Sequence, residues 1–306
     1  MIPLVFHPVY SQLALPVRHR FPIEKYQAIR DKLAECAVPD NWFYQPQPLA
    51  INDLKEYFCP DYLSDLLAGT LEPNAMRRIG FPWSEQLIRR TLTAVAGTCL
   101  TARQALEHGK ALNLTGGYHH AFADFGSGFC MLNDLYLAAR TMLETAGVDK
   151  VLIVDCDVHQ GDGTAKLAEH NPDIITLSLH GEKNFPHRKQ ISDMDFPLPK
   201  GTGDDDYLDT LDSALSLALS LHRPDAVIYD AGVDVHINDD LGHLNISTAG
   251  IYRRDKLVFE RCELAGLPVA AVIGGGYQRD IAALTEVHLQ LFRAAGVVKQ
   301  TLPARD

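Results

Sequence analysis

The segment VLIVDCDVHQGDGTA, residues 151–165, joins the pattern of a buried strand to a cluster of groups that bind metals. Its first four residues are β-branched or leucyl, as in a strand of a parallel sheet. Asp155, Asp157 and His159 follow at intervals of two, and residues two apart in an extended chain point to the same side. Active sites of α/β proteins lie where such strands end. We therefore expect Asp157 and His159 to bind one metal ion, with Asp155 nearby.

Three other loops that follow predicted strands carry polar side chains. His119 and His120 come after a pair of glycines, which allow a sharp turn and a close approach of the backbone. Asp234 follows a strand at 226–229, and Tyr277 follows three glycines after a strand at 269–273. Because parallel strands end at a common edge, these side chains are expected to meet the 155–162 segment there.

Two carboxylates and one imidazole, from Asp157, His159 and Asp234, resemble the ligand set of a catalytic zinc ion with an open coordination position. Such an ion polarises a carbonyl group and lowers the pKa of bound water. His119 and His120 can transfer protons at physiological pH.

The remaining polar residues complete a set for metal-assisted amide hydrolysis. Asp155 and Asp162 are candidates to orient the two imidazoles through hydrogen bonds. Tyr277 offers a phenol hydroxyl to a developing oxyanion.

The elements that must position these groups alternate along the chain. Helical patterns cover residues 23–35, 84–108, 132–145, 208–222, 248–264 and 281–295, and strand patterns cover 4–6, 111–114, 151–154, 174–179, 226–229 and 269–273. This order predicts an α/β fold with a mostly parallel sheet and helices on both faces. The acidic run at 204–206 is expected to favour a helix N-terminus, and one domain is the simplest organisation.

Composition limits the function classes. The chain has 306 residues, of which 46% are hydrophobic and 22% charged, and its net charge of −11 disfavours non-specific nucleic-acid binding. No apolar run is long enough to span a membrane, and the N-terminus is a poor signal peptide. The six cysteines are scattered without a C-x-x-C pair, which suits a reducing cytoplasm.

Four stretches carry a resemblance to a known family: GGYHHAFADFGSGFCMLND, VDCDVHQGDGTA, YDAGVDVHINDDLG and IGGGYQ. In this order, over most of the chain, they resemble the zinc-dependent histone deacetylases. HRFPIEKY and RRIGFPWSEQL are similar to bacterial members, and the segment around YDAGVD is most similar to class IV enzymes. The resemblance implies the arginase–deacetylase fold, an eight-stranded parallel sheet flanked by helices, in one catalytic domain over residues 1–306.

The resemblance also implies roles for individual residues. Asp157, His159 and Asp234 match the ligands of one zinc ion, which iron could replace. His120 matches the proton shuttle, and His119 has a mainly electrostatic role. Asp155 would pair with His119 and Asp162 with His120, while Tyr277 would polarise the scissile carbonyl. The walls of an acyl-lysine tunnel would be Gly128, Phe129, Phe185 and Leu241. A potassium site would use Asp155, Asp157, His159, Ser178 and Leu179.

Some positions depart from the family pattern. Phe185-Pro186 is followed by His187-Arg188, where many relatives have glycine, so the tunnel rim is expected to differ. Asp162 stands where class IV relatives often carry asparagine, which predicts a more basic His120. His236 and His243 lie near Asp234 in sequence and are interpreted as rim or loop residues rather than ligands.

These patterns favour a zinc-dependent lysine deacylase acting on an acyl-lysine peptide or protein, with acetyl or longer chains. An acetylated polyamine is the alternative small substrate. An arginase-like hydrolase with two manganese ions is disfavoured, because no acid stands two residues after His159. An inactive acyl-lysine-binding module is disfavoured by the complete set of site residues. Acyl-chain length, native metal and oligomeric state stay open.

Overall fold

A computed structural model describes residues 1–299 of the chain. Eight strands form one sheet, and all seven pairs of neighbouring strands are parallel. The strands are β1 (Leu4–Val5), β2 (Phe43–Tyr44), β3 (Lys110–Asn113), β4 (Val151–Asp155), β5 (Ile174–Gly181), β6 (Met194–Leu198), β7 (Ala226–Asp230) and β8 (Val269–Val272). Their order across the sheet is β2-β1-β3-β8-β7-β4-β5-β6. The predicted eight-stranded α/β fold is confirmed.

Nine α-helices connect or follow the strands within the described residues. They are α1 (Lys25–Glu35), α2 (Pro60–Ala68), α3 (Pro73–Ile79), α4 (Glu85–His108), α5 (Asp134–Leu143), α6 (Asp162–Ala168), α7 (Asp204–His222), α8 (Thr248–Leu264) and α9 (Ile281–Ala294). In this part of the chain, no helix combines the length and the apolar character needed to cross a bilayer.

Alternate strand residues face two different cores, so helices cover both faces of the sheet. Val151 and Ile153 of β4 pack in a cluster with residues of α4 and α5. Leu152 and Val154 belong to the larger cluster, which includes residues of α7, α8 and α9. Strand β4 is therefore buried on both sides, as its unbroken apolar run predicts.

Several short elements carry no periodic signal and were not predicted. Strand β2 has two residues, and β6 contains Pro197 among half-buried residues. Helices α2 and α3 have nine and seven residues, and each begins at a proline. Helix α7 begins at Asp204 rather than at residue 208, so the acidic run occupies its first turn, as expected from the helix dipole.

The strand register brings the polar loops together. Asp155, the last residue of β4, pairs with Ser178 of β5 on one side and with Asp230 of β7 on the other. Strand β8 pairs with β7 and β3, so the loops that carry Tyr277 and the histidine pair leave the same edge. Groups more than a hundred residues apart in sequence thus converge at the carboxyl ends of central strands.

Candidate metal and acid–base site

Asp157, His159 and Asp234 form a compact buried group at this edge. Each offers one ligand atom, and these atoms lie within 4.8 Å of one another. Nδ1 of His159 is 2.9 Å from Oδ1 of Asp157 and 3.1 Å from Oδ2 of Asp234. Since the Nδ1 hydrogen bond goes to Asp157, Oδ2 of Asp234 is left without a donor although it is buried. Two carboxylates and an imidazole with an unsatisfied oxygen fit a divalent cation.

Backbone amides fix the two carboxylates of this group. The N–H of Gly275 donates to Oδ2 of Asp157 at 2.9 Å, and the N–H of Val158 donates to Oδ1 of Asp234 at 2.8 Å. A Cβ atom at Gly275 would collide with both carboxylates. A residue with a side chain at position 275 could not approach the carboxylates so closely, so the site requires glycine there.

In the metal-free protein, the three groups share protons. Burial raises the pKa of Asp157, but the charges of His119 and His159 outweigh burial and hold this pKa well below its usual range. Burial and the Asp157 charge raise the pKa of Asp234 to about 7. Burial lowers the pKa of His159, yet the adjacent carboxylates of Asp157 and Asp234 raise it to about 10. Protons therefore supply the positive charge that a bound cation would replace.

Each imidazole of the histidine pair has its own carboxylate. Nδ1 of His119 donates to Oδ2 of Asp155 at 2.7 Å, and Nδ1 of His120 donates to Oδ1 of Asp162 at 2.6 Å. The two ring centroids are 4.1 Å apart. Nε2 of His119 lies 3.8 Å from Oδ1 of Asp157. Each Nε2 atom thus faces away from the carboxylate that binds Nδ1 of the same ring and is left available.

The two imidazoles differ in charge. Burial lowers the pKa of His119, but Asp155 and Asp157 outweigh it and raise this pKa well above its usual value. Burial and the neighbouring His119 charge lower the pKa of His120 to about 4. Asp162 raises the pKa of His120, as expected from a carboxylate, but its effect is smaller than that of burial. A neutral imidazole beside a charged one suits a base beside an electrostatic partner.

Tyr277 stands at the opposite side of the ligand group. Its ring centroid is 6.3 Å from that of His159 and 6.0 Å from that of Phe129. Burial and the charges of Asp157 and Asp234 raise the pKa of its phenol well above 10. The hydroxyl therefore keeps its proton and can donate a hydrogen bond at neutral pH.

Aromatic rings surround the approach to this group. Phe185, 40% exposed, packs edge-on to His120 with centroids 4.8 Å apart. Gly128 has φ +51°, and a Cβ atom there would come within 2.6 Å of the His120 ring. Leu241 is anchored through its carbonyl, which accepts from Nδ2 of Asn184 at 2.9 Å. The four predicted tunnel residues thus lie on three loops; Gly128 and Phe185 adjoin the His120 ring, and Phe129 adjoins Tyr277.

Two residues predicted to bind potassium, Ser178 and Leu179, lie on β5 next to β4. The hydroxyl of Ser178 and Nδ1 of His180 are hydrogen-bonded at 3.0 Å. Leu179 is fully buried, and Ser178 is the register partner of Asp155.

His236 is hydrogen-bonded through Nε2 to Thr248, away from the ligand group, and His243 is exposed.

Two buried cations at the site were missed from the sequence. Lys25, 1% exposed, donates from Nζ to the carbonyls of Gly274 at 3.1 Å and Gly276 at 3.4 Å. Arg254 donates to the carbonyls of Ala231 and Gly232 and pairs with its neighbour Asp255. Their partners are backbone atoms of distant loops, which leave no periodic signal. The only available hint was a charged residue at an inward position of an amphipathic helix.

Two carboxylates were also missed. Asp230 is fully buried with no hydrogen-bond partner, and it forms a second group of possible ligands with His119 and Asp155. Asp239 accepts from the backbone N–H of Tyr277 at 2.7 Å. Asp230 ends the apolar strand β7 as Asp155 ends β4, so the signal that identified Asp155 was also present for Asp230.

Comparison with known proteins assigns the chain to a family. The model of the histone deacetylase domain matches residues 19–292. The chain belongs to the histone deacetylase family. Within this family, it is 35% identical to the acetoin utilization protein AcuC of Bacillus subtilis, over 89% of this chain and 76% of AcuC. It is 30% identical to histone deacetylase 2 of Arabidopsis thaliana, over 83% of this chain and 64% of that protein.

Two further proteins are similar to this chain. An uncharacterized protein of Picosynechococcus is 50% identical, over 96% of this chain and 98% of its own length. The crystal structure of the HDA15 HD domain superposes with a TM-score of 0.81 at 21% identity, covering 99% of this chain and 90% of that one. The first likeness extends over almost the whole chain, and the second shows the fold.

Proposed function

We propose that this histone deacetylase-family hydrolase removes acyl groups from lysine side chains with one zinc ion. The observation that supports the proposal is the buried group of Asp157, His159 and Asp234, flanked by two carboxylate-bound imidazoles and a protonated phenol. Iron could replace zinc on the same ligands. Together, Asp155, Asp157, His159, Ser178 and Leu179 would hold a structural potassium ion.

The bound divalent ion would polarise the acyl carbonyl and lower the pKa of water. His120 is neutral above about pH 4, so its Nε2 can take the proton of the attacking water. His119, held charged by Asp155, favours the negative charge that develops nearby. The phenol of Tyr277 donates to the oxyanion, and an imidazole then protonates the leaving amine.

The aromatic rings beside the proposed ligand group would suit a long aliphatic side chain. Phe185, Gly128 and Phe129 would pack on the methylene groups of lysine, while the peptide backbone stays outside. We propose a single catalytic domain over residues 1–306. We also propose a cytoplasmic protein similar to class IV enzymes, since the cysteines of the described residues are all free.

Thiol chemistry is a poor alternative at this site. Cys130 and Cys156 flank site residues, but burial raises the pKa of both thiols, to about 12 for Cys156. A buried protonated thiol is a weak nucleophile.

An arginase-like reaction with two metal ions is the second candidate, because His119, Asp155 and Asp230 form a second possible ligand group. The sequence opposes it, because Gly161 rather than an acid stands two residues after His159. Metal content per chain separates the two: one divalent ion supports the deacylase, and two tightly bound ions would favour the alternative.

A turnover panel tests the proposed substrate class. Metal-loaded protein would be assayed with acetyl-, octanoyl- and myristoyl-lysine peptides and with acetylputrescine. We expect lysine peptides to be hydrolysed faster than the polyamine. The reverse ranking would assign the chain to polyamine metabolism, and no turnover with full metal loading would favour an inactive binding module.

A further inference from the structure

The loops around the site entrance are rich in basic residues, although the whole chain is acidic. We define the mouth loops as residues 18–20, 183–189 and 77–80, of which the last comprises the end of α3 and Gly80. These 14 positions hold seven of the 28 lysines and arginines of the chain and no aspartate or glutamate. The net charge of the chain is −11, so this concentration of positive charge is local. The basic residues are Arg18, Arg20, Arg77, Arg78, Lys183, Arg188 and Lys189.

Each mouth loop contacts a residue of the proposed tunnel. The ring of His19 packs against Phe129 with centroids 5.9 Å apart. The carbonyl of Ile79 accepts from the N–H of Phe129 at 2.7 Å, and the carbonyl of Arg78 accepts from Gly128 at 3.1 Å. The third loop contains Phe185 itself. Each segment that carries these basic residues therefore adjoins the proposed tunnel.

Several of these charges are free to meet a ligand. Arg18, Arg20, Lys183 and Arg188 are exposed, and within residues 1–299 they form no ion pair. By contrast, Lys189 donates to the carbonyls of Asn184 and Pro186, Arg77 donates to Asn74, and Arg78 donates to the carbonyl of Gly126.

The acidic groups that adjoin the mouth loops do not balance this charge. Glu24 and Asp240 line a groove with Arg18 and Arg20, and Asp240 is engaged by Arg279 at 2.9 Å. Asp239 accepts three backbone hydrogen bonds, and Glu182 precedes the third loop. With Arg279 included, eight basic groups stand against these four acids and against Asp162 and Asp195, which attract Lys189.

We propose that the entrance selects acyl-lysines flanked by aspartate or glutamate, in a peptide or on a protein surface. The inference rests on the proposed deacylase function and adds its substrate class. A positive rim attracts acidic partners and repels cationic ones. Arginine-rich and lysine-rich tails and polycationic polyamines are therefore disfavoured substrates.

The test compares three acetyl-lysine peptides of equal length, with acidic, uncharged or basic residues at the two positions on each side. For zinc-loaded protein at low ionic strength, we expect kcat/KM to be roughly tenfold or more higher for the acidic than for the basic peptide. The ratio should approach one as salt rises, because screening weakens the attraction. A ratio near one at low salt, or a preference for the basic peptide, would overturn the inference.

A charge-reversal variant locates the effect. Arg18→Glu/Arg188→Glu should lower the acidic-to-basic ratio at least fivefold, with unchanged metal content. Arg103→Glu is the matched control, since Arg103 is exposed on α4 near the edge where strands begin. An unchanged ratio in the double variant, or an equal change in Arg103→Glu, would contradict the assignment.

Failure of the proposed function gives a different result. If metal-loaded protein hydrolyses none of the peptides, the deacylase proposal fails, and the inference is then judged by peptide affinity. Fluorescence anisotropy with labelled peptides should show the same acidic preference and the same loss in Arg18→Glu/Arg188→Glu. Equal affinities for acidic and basic peptides would overturn it.

Discussion

Oδ2 of Asp239 accepts a hydrogen bond of 2.7 Å from the backbone N–H of Tyr277. Its other oxygen accepts the N–H groups of Leu241 and Gly242. One side chain thus ties the loop after β8, which carries the phenol, to the loop after β7, which carries Asp234. Asp239 is a positioning residue in this arrangement, because it reaches Tyr277 only through the backbone.

We expect Asp239→Asn to lower kcat about 10- to 100-fold, since asparagine has one acceptor oxygen and cannot accept from Tyr277 and from Leu241 and Gly242 at once, so the tie that positions the phenol is lost. Metal content should be unchanged. In a double-mutant cycle, Asp239→Asn should add little to Tyr277→Phe if it acts through Tyr277. Fully multiplicative losses would exclude this route. Asp240→Asn, on the adjacent exposed carboxylate, is the control.

Tyr277→Phe should retain metal and lose about 10²- to 10³-fold in kcat, the usual loss when one oxyanion donor is removed. Steady-state turnover of an acetyl-lysine peptide, with metal content measured on the same sample, checks this expectation. Normal turnover in the phenylalanine variant would remove Tyr277 from the mechanism.

Zinc affinity should depend on pH through His159 and Asp234. In the metal-free protein the pKa of His159 is about 10 and that of Asp234 about 7, so zinc must displace a proton from His159 below pH 10 and a second one from Asp234 below pH 7. The logarithm of the apparent affinity should rise about one unit per pH unit from 7 to 8.5 and more steeply below 7. Competition with a chelator of known protonation measures both slopes.

Asp234→Ala provides the matched variant for this measurement. It should fail to retain zinc through gel filtration, whereas Asp240→Ala should retain it. Calorimetry in buffers of different ionisation enthalpy should show about one proton released per zinc at pH 8 in the wild type. Retention of zinc by Asp234→Ala, or binding without proton release, would contradict the ligand assignment.

Lys25 should make the stability of the metal-free protein depend on alkaline pH. Burial lowers its pKa from 10.5 to about 8 despite the nearby Asp234 and Asp157. Between pH 8 and 10.5 the unfolded chain holds a proton that the folded chain has lost, so this contribution raises stability as pH rises. Below pH 8 the full penalty, about 3 kcal/mol, is present.

Urea unfolding of wild type and Lys25→Met isolates this contribution. Because the substitution also removes the hydrogen bonds to Gly274 and Gly276, the pH dependence is the test. The free energy of unfolding of the variant minus that of the wild type should be most positive at pH 7.5 and should fall toward pH 10. A difference that is independent of pH would show that the charge of Lys25 carries no penalty.

Long elements and their polar ends could be predicted from the sequence because their signals are local. The apolar run before Asp155 identified β4, and Ser84 was identified as the start of α4, where its side chain accepts from Leu87. Asp234 lies beside Asp157 because β4 pairs with β7, and the spacing of residues in the sequence does not predict this pairing.

The supporting groups could not be predicted for a related reason. Lys25, Arg254 and Asp239 bind backbone atoms of loops far away in sequence, and neither hydrophobic period nor motif records such contacts. Asp230 is buried without a hydrogen-bond partner, a property that exists only in three dimensions.

The proposed deacylation requires one divalent ion held by Asp157, His159 and Asp234. Its most direct test is the turnover of an acetyl-lysine peptide by metal-free protein during titration with zinc. We predict that the rate rises linearly and reaches its plateau at one equivalent per chain. A plateau only at two equivalents, or no turnover at any zinc concentration, would contradict it.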